Sequence, residues 1–380
     1  MKSSFNKLFI LFFILIVIGI LYKRFEDSRI KDETYENNVA IQKYLLDGKS
    51  LNESKKPILW IYVPYEHNSR NWANFGSRTS LDLNQPYLYL TVKSIINKCS
   101  NSFTISIIDD TSFEKLIPGW NVDLKYIANP ILDNMRELGL MKLLHIYGGI
   151  LCPISFICMK DLNELYITGT QGGKMFMCET PDRNITSTPN NVYPSLTFCG
   201  ADKENRTLGN LIDFMQHTIS NDFTADVKFL GAFDRWCNSK IEQGEINLIN
   251  GKLIGIKTSE NQPILIEDLM SNHYLKIDPY TYGILIPSGE LLKRRKYQWF
   301  VRMSPKQVLE SDVIIGNYLL LFNAPDKEDG IIEPLKIKPD WVAFWKTPLY
   351  NGLYGVKPQF LGDNQLHLCT FKTPIIDVKK

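Results

Sequence analysis

Apolar residues recur along this chain in two rhythms, one suited to strands and one to helices. Residues 57–64, PILWIYVP, form a short apolar run closed by Pro64 and predict a strand covered on both faces. Residues 86–99, PYLYLTVKSIINKC, start on a proline and space their apolar side chains as a helix does. Residues 103–108, FTISII, then read as a β-branched strand ending at Asp109 and Asp110. Strand, helix and strand in that order predict a parallel unit. A second helix begins at Pro130, with Ile131, Met135, Leu138, Met141, Leu144 and Tyr147 on one face. It stops at Gly148-Gly149, where glycine can take the positive φ that ends a helix. Ile150 to Met159 reads as the next strand, with Cys152 and Cys158 inside it. Residues 208–219, LGNLIDFMQHTI, predict another amphipathic helix, and from Leu248 the chain becomes short strands and turns. The aromatic-rich stretch at 341–362 receives no regular structure.

Ahead of this body lies an apolar run at residues 8–22, LFILFFILIVIGILY, bracketed by Lys2 and Lys7 before it and Lys23 and Arg24 after it. The run is a little shorter than the roughly 20 residues that cross an average bilayer. Tyr22, Lys23, Arg24 and Phe25 are too bulky for a signal-peptidase site, so it reads as an uncleaved signal anchor. The polar segment 30–56 reads as a stem. These features predict a single-pass type II membrane protein of the secretory pathway, with a cytoplasmic tip and a lumenal body. Sequons at Asn52, Asn184 and Asn205 are compatible with that placement.

Charge narrows the partners. With 43 basic and 41 acidic residues and a formal net charge of +2, the chain has no polyanion-binding character, and nucleic acid is not expected as a partner. The seven cysteines include no C-x-x-C pair, which argues against structural zinc. An oxidising lumen permits one or two disulfides; buried, unpaired thiols fit the spacing equally well.

The stretch HIYGGILCPISFICMKDL at 145–162, following an amphipathic helix, carries a resemblance. The order strand, helix, strand, helix, Tyr-Gly-Gly, strand resembles glycosyltransferases with a DxD sugar-binding region, the group of yeast initiating mannosyltransferases and α-1,4-N-acetylglucosaminyl- or galactosyltransferases. The resemblance covers roughly residues 57–165. It implies an α/β fold of GT-A type, a Rossmann-like sandwich with a mixed, mostly parallel sheet. To this the anchor adds an N-terminal transmembrane helix, and the chain's last third adds a C-terminal extension. The expected division is 1–29 for the tip and anchor, 30–56 for the stem, 57–290 for the glycosyltransferase-like domain and 291–380 for the extension packed on it.

In that family two acids grip a divalent cation that holds the donor diphosphate, because such a cation prefers carboxylate and water oxygens. Counted from Gly148-Gly149, those acids fall at Pro153 and Ser155. The family's Ser-Asp pair falls at Arg136-Glu137, its arginine at Leu140, and the aromatic or histidine ending its first strand at Tyr62-Val63-Pro64. A bound Mn or Mg cofactor is therefore not expected. Two readings stay open: transfer from a nucleotide-sugar to a glycan or glycoprotein acceptor without metal, or a catalytically inactive relative serving as a binding or structural membrane protein.

For the first reading the candidate catalytic residues are Asp109 and Asp110, at the carboxyl end of a strand where α/β sheets place ligands. The candidate donor-binding residues are Glu137, Gly148, Gly149, Ser155, Arg294 and Arg295, the arginines serving as diphosphate partners. Each has a plainer role available. Asp109-Asp110 can be a turn or helix cap, Gly148-Gly149 a helix stop, and Arg294-Arg295 a solvated turn.

Overall fold

A computed structural model describes residues 19, 21, 56–64, 85–181, 192–221 and 231–323. The chain divides into two compact units, Met1–Asp47 and Gly48–Lys380. In the first unit Gly19 and Leu21 are helical; the rest of the apolar run at 8–22 and the stem up to residue 55 lie outside the described residues. Among the described residues no helix is long and apolar enough to cross a membrane.

The second unit is an α/β fold. Strand β1 (Ile58–Tyr62) is followed by helix α1 (Leu88–Cys99), strand β2 (Thr104–Ile108), a short helix α2 (Ser112–Leu116) and the long helix α3 (Ile131–Tyr147). Strands β3 (Gly149–Cys152) and β4 (Phe156–Cys158), helix α4 (Asn163–Gly169), strands β5 (Phe176–Pro181) and β6 (Val192–Ala201), helices α5 (Arg206–Ser220) and α6 (Ala232–Glu242) and strand β7 (Asn247–Ile249) come next. After these come helix α7 (Ile266–Leu269), strand β8 (Gly283–Leu285) and helices α8 (Ser288–Lys293), α9 (Gln298–Val301), α10 (Pro305–Leu309) and α11 (Ile314–Asn323).

Six strands make a mixed, mostly parallel sheet in the order β2-β1-β3-β6-β5-β7. Strand β1 pairs in parallel with both β2 and β3, β7 runs parallel to β5, and β6 is antiparallel to its two neighbours. Strand β1, paired on both sides, is apolar up to Tyr62: Leu59, Trp60 and Ile61 are fully buried, as expected where both sheet faces are covered. The connections from β1 to β2 and from β2 back past β1 to β3 run in opposite directions across the sheet, so the right-handed rule for parallel crossovers expects α1 and α3 on opposite faces.

Glycine makes the α3–β3 junction possible. Gly148 ends the helix at φ +71°, its N–H donating to Leu144 O, and Gly149 follows at φ +107°. A Cβ on Gly149 would lie 2.0 Å from the Ile58 carbonyl oxygen, so β1 reaches its pairing distance only because that side chain is missing. Trp60 Nε1 donates to Gly148 O at 3.0 Å and locks the same junction from the sheet side.

The expected single strand over 150–159 is two. Pro153 has no N–H to give a ladder, and Phe156 N donates back to Pro153 O at 3.1 Å, so the chain turns and β4 leaves to pair with β8 in a separate two-stranded sheet. Helix α5 starts two residues before its predicted position because Asn205 caps it, Oδ1 accepting from Leu208 N at 3.1 Å. The same Asn205 donates from Nδ2 to Gly173 O at 2.9 Å and is 7% exposed. The nitrogen that a glycan would modify is thus committed inside the fold, and the sequon at Asn205 is a helix cap.

Residues on both sides of position 290 share one hydrophobic cluster. Tyr87, Leu90, Ile157 and Ile284 meet Leu291, Trp299, Phe300, Val308 and Leu319 there, so the chain from 291 to 323 packs directly on the body. The remainder of the expected extension, 324–380, lies outside the described residues.

Candidate functional site

Strand order reverses at the β1/β3 boundary, and open α/β sheets leave a crevice at the carboxyl ends of such a pair. A cavity of about 340 Å³ opens at this place. Tyr62 and Pro64, from the end of β1, form one side, and Leu151 to Ser155, from β3 and the turn after it, form the floor. Leu140 of α3, Thr180 of β5, Thr197 of β6 and the Leu285–Gly289 segment after β8 complete the wall. Ile286 N donates to Ser155 O at 3.0 Å and ties two of these walls together.

Some of the positions matched to the family pattern meet here, while Arg136 and Glu137 fall outside the lining. Tyr62, Pro64, Leu140, Pro153 and Ser155, though spread over some ninety residues of sequence, line one space. Their chemistry is uniform in one respect: among the described residues, no lining side chain carries a formal charge at neutral pH. The surface combines aliphatic side chains and prolines with the hydroxyls of Ser155, Thr180, Thr197 and Ser288, and with the Tyr62 side chain.

The acids predicted for catalysis stand outside this lining. Asp109 closes a turn: its Oδ1 accepts from Ser112 N at 3.0 Å, Ser112 Oγ at 2.8 Å and Thr111 Oγ1 at 2.8 Å. Partial burial pushes its carboxyl upward, but these hydrogen bonds to the ionised form outweigh that and hold it below the usual aspartate value. Asp110 is half of a bidentate ion pair, its oxygens 3.1 Å from Arg136 Nε and 2.8 Å from Arg136 Nη2. Tyr62 also donates its hydroxyl to Asp110 Oδ1. Burial and then the Asp110 carboxylate push the Tyr62 phenol far above its ordinary value, so it remains a donor at any working pH. Tyr62 lines the cavity while Asp110 accepts from its hydroxyl and Arg136 in turn holds Asp110, so the ion pair positions a wall residue.

Glu137 faces away from the cavity lining, toward Asp234 of α6 and Asp133, with Cys199 and Cys237 nearby. Desolvation of its carboxyl, reinforced by the two aspartates, pushes it up to about 8. Gly148 and Gly149 belong to the helix stop and to β1 packing described above, outside the lining. Arg294 is taken up by ion pairs to Glu267 and Glu290, and Arg295 is exposed. Of the predicted site residues, Ser155 alone lines the cavity.

Sequence reasoning missed Thr180, Thr197 and the 285–289 segment, which reach the cavity from distant elements with no motif to announce them. Among the described residues no group of three His, Cys, Asp or Glu side chains is placed to hold a metal ion. The chain matches no family model, and no curated protein is significantly similar to it.

Proposed function

We propose that this chain is a glycosyltransferase-like binding protein, a GT-A-type relative in which the β1/β3 cavity takes a neutral, saccharide-sized ligand and the transfer reaction has lapsed. One observation supports the reading: the cavity lies at the β1/β3 switch point, where open α/β sheets bind ligands, yet its described lining has no ionic group to hold a diphosphate. The resemblance implies a manganese or magnesium ion between the carboxylates of a DxD pair. At those two positions Pro153 has no side-chain ligand and Ser155 a neutral hydroxyl, so these residues do not fit a hard divalent cation, and no step is drawn through one.

Metal-free transfer is the less well supported alternative. Of the cations expected to replace the metal, Arg294 is already neutralised by two glutamates and Arg295 is exposed outside the cavity lining, and Asp109 and Asp110 are consumed by a turn and an ion pair. What the cavity does offer suits a neutral sugar: hydroxyl groups for its polar edge, apolar wall for its carbon face and a tyrosine held in place from behind. Anchorage through residues 8–22 in a secretory membrane belongs to the same proposal and accounts for a lumenal glycan as the partner.

Isothermal calorimetry on the full chain in detergent tests it, using uridine and guanosine diphosphate sugars with and without manganese, and neutral oligosaccharides. The reading expects saccharide binding that is indifferent to manganese and is lost when Ser155→Phe fills the cavity. Manganese-dependent binding of any donor, or turnover of one, overturns it.

A further inference from the structure

Six cysteines are described, and all six are buried and unpaired. Two of them touch: Cys99 Sγ, at the end of α1, lies 3.7 Å from Cys158 Sγ, at the end of β4. We propose that Cys99 and Cys158 are a disulfide-forming pair, oxidised as the chain folds in an oxidising compartment, and that the bond staples α1 to the segment bearing the cavity floor.

The two backbones are already registered. Ser94 Oγ, one turn and a half before Cys99, accepts from Cys158 N at 2.9 Å, and Thr91 Oγ1 donates to Ile154 O. Helix α1 therefore grips the stretch 154–158 at successive turns along its length. Bonded sulfurs sit about 2.0 Å apart. Side-chain rotation must then close about 1.7 Å from the observed 3.7 Å. Cys158 gives up a weak Sγ contact to Lys160 O, 3.1 Å away, in doing so.

Burial dictates when the reaction occurs. Cys99 and Cys158 are 0% exposed, and burial, followed by the neighbouring Cys99 thiol, pushes the Cys158 thiol well above its ordinary value. Thiolate is the attacking species, so the folded, reduced protein resists oxidation, and the bond forms while the chain is still open. In balance, one cysteine thiolate attacks oxidised glutathione and displaces a glutathione thiolate. The second cysteine thiolate then attacks the mixed disulfide and displaces another. The two cysteines lose two electrons and two protons, and one glutathione disulfide becomes two thiols.

The inference rests on the secretory placement proposed above and not on the proposed ligand. The reduced, denatured full chain is refolded in a glutathione redox buffer, alkylated with N-ethylmaleimide under denaturing conditions and digested without reduction for mass spectrometry. The expected product is one cross-linked peptide pair carrying Cys99 and Cys158, with Cys152, Cys178, Cys199 and Cys237 alkylated. A parallel map of the membrane-bound full chain recovered from the secretory pathway gives the same pair without any refolding step. Reductant is expected to lower the melting temperature by roughly 5–10 °C, and the Cys99→Ala and Cys158→Ala variants to lose that sensitivity. Alkylation of both residues in the chain recovered from the secretory pathway, a link from either to another cysteine such as Cys152, or a melting temperature blind to reductant overturns the proposal.

Discussion

Replacing Asp110 by asparagine separates a structural role from a catalytic one. The substitution keeps the shape and removes the charge opposite Arg136, whose side chain is 10% exposed against 19% for Asp110. Removing one partner of a well-buried pair costs about 3–5 kcal/mol, because the remaining charge stays desolvated. Some solvent reaches this pair, which brings the expected loss to about 2–4 kcal/mol. Over a body of this size, each kcal/mol corresponds to roughly 2–4 °C, so Asp110→Asn is expected to melt on the order of 10 °C below the parent. The double variant Asp110→Leu/Arg136→Met removes both charges together and is expected to recover more than half of the loss. Thermal unfolding followed by circular dichroism on the parent, Asp110→Leu, Arg136→Met and the double variant gives the coupling directly, with Asp110→Asn measured beside them. An Asp110→Asn shift below about 2 °C, or a double variant no better than the single, refutes the assignment of Asp110 to the framework.

Other consequences follow from single side chains. Glu137 is raised from 4.5 to about 8, so its contribution is fully present below pH 4.5 and is lost as pH rises through 8. The full linkage is roughly 5 kcal/mol, and partial solvent contact along the residue reduces it to on the order of 2 kcal/mol. Glu137→Gln should therefore leave stability at pH 5 nearly unchanged and raise it relative to the parent at pH 9, as read by urea unfolding at both pH values; equal effects at both would contradict the burial argument. Gly149→Ala places a methyl 2.0 Å from the Ile58 carbonyl oxygen at φ +107° and should abolish soluble expression or cost at least about 3 kcal/mol. Glycopeptide mapping of the chain recovered from the secretory pathway should find Asn205 unmodified, since Nδ2 donates inside the fold, and Asn205→Ala should cost about 1 kcal/mol through the lost cap.

Much of this architecture was legible because it is local. A proline, an apolar face and a glycine stop mark α3 to within a residue, and the apolar runs of β1 and β2 leave no alternative to a covered parallel pair. Counting from Gly148-Gly149 brought Leu140, Pro153 and Ser155 to one cavity, since a helix stop followed by a strand fixes the spacing of what comes next. Pro153 should have signalled the break between β3 and β4; apolar residues on either side of it hid the break. The fate of the charged residues was illegible for a different reason. Asp110 meets Arg136 only once β2 and α3 are packed, and Arg294 meets Glu267 only when α7 and α8 are folded together, so no spacing rule could assign either pair. Thr180 and Thr197 reach the cavity through strand order, and Gly289 through the pairing of β8 with β4, neither of which periodicity encodes.

The measurement that bears most directly on the central claim is a manganese titration of the full chain followed by electron paramagnetic resonance, with and without a uridine diphosphate sugar. An uncharged cavity predicts that the free-ion signal grows as it does in buffer containing the same nucleotide, with no stoichiometric ion retained by the protein. Retention of one manganese per chain that requires the donor and disappears in Ser155→Phe would contradict the account.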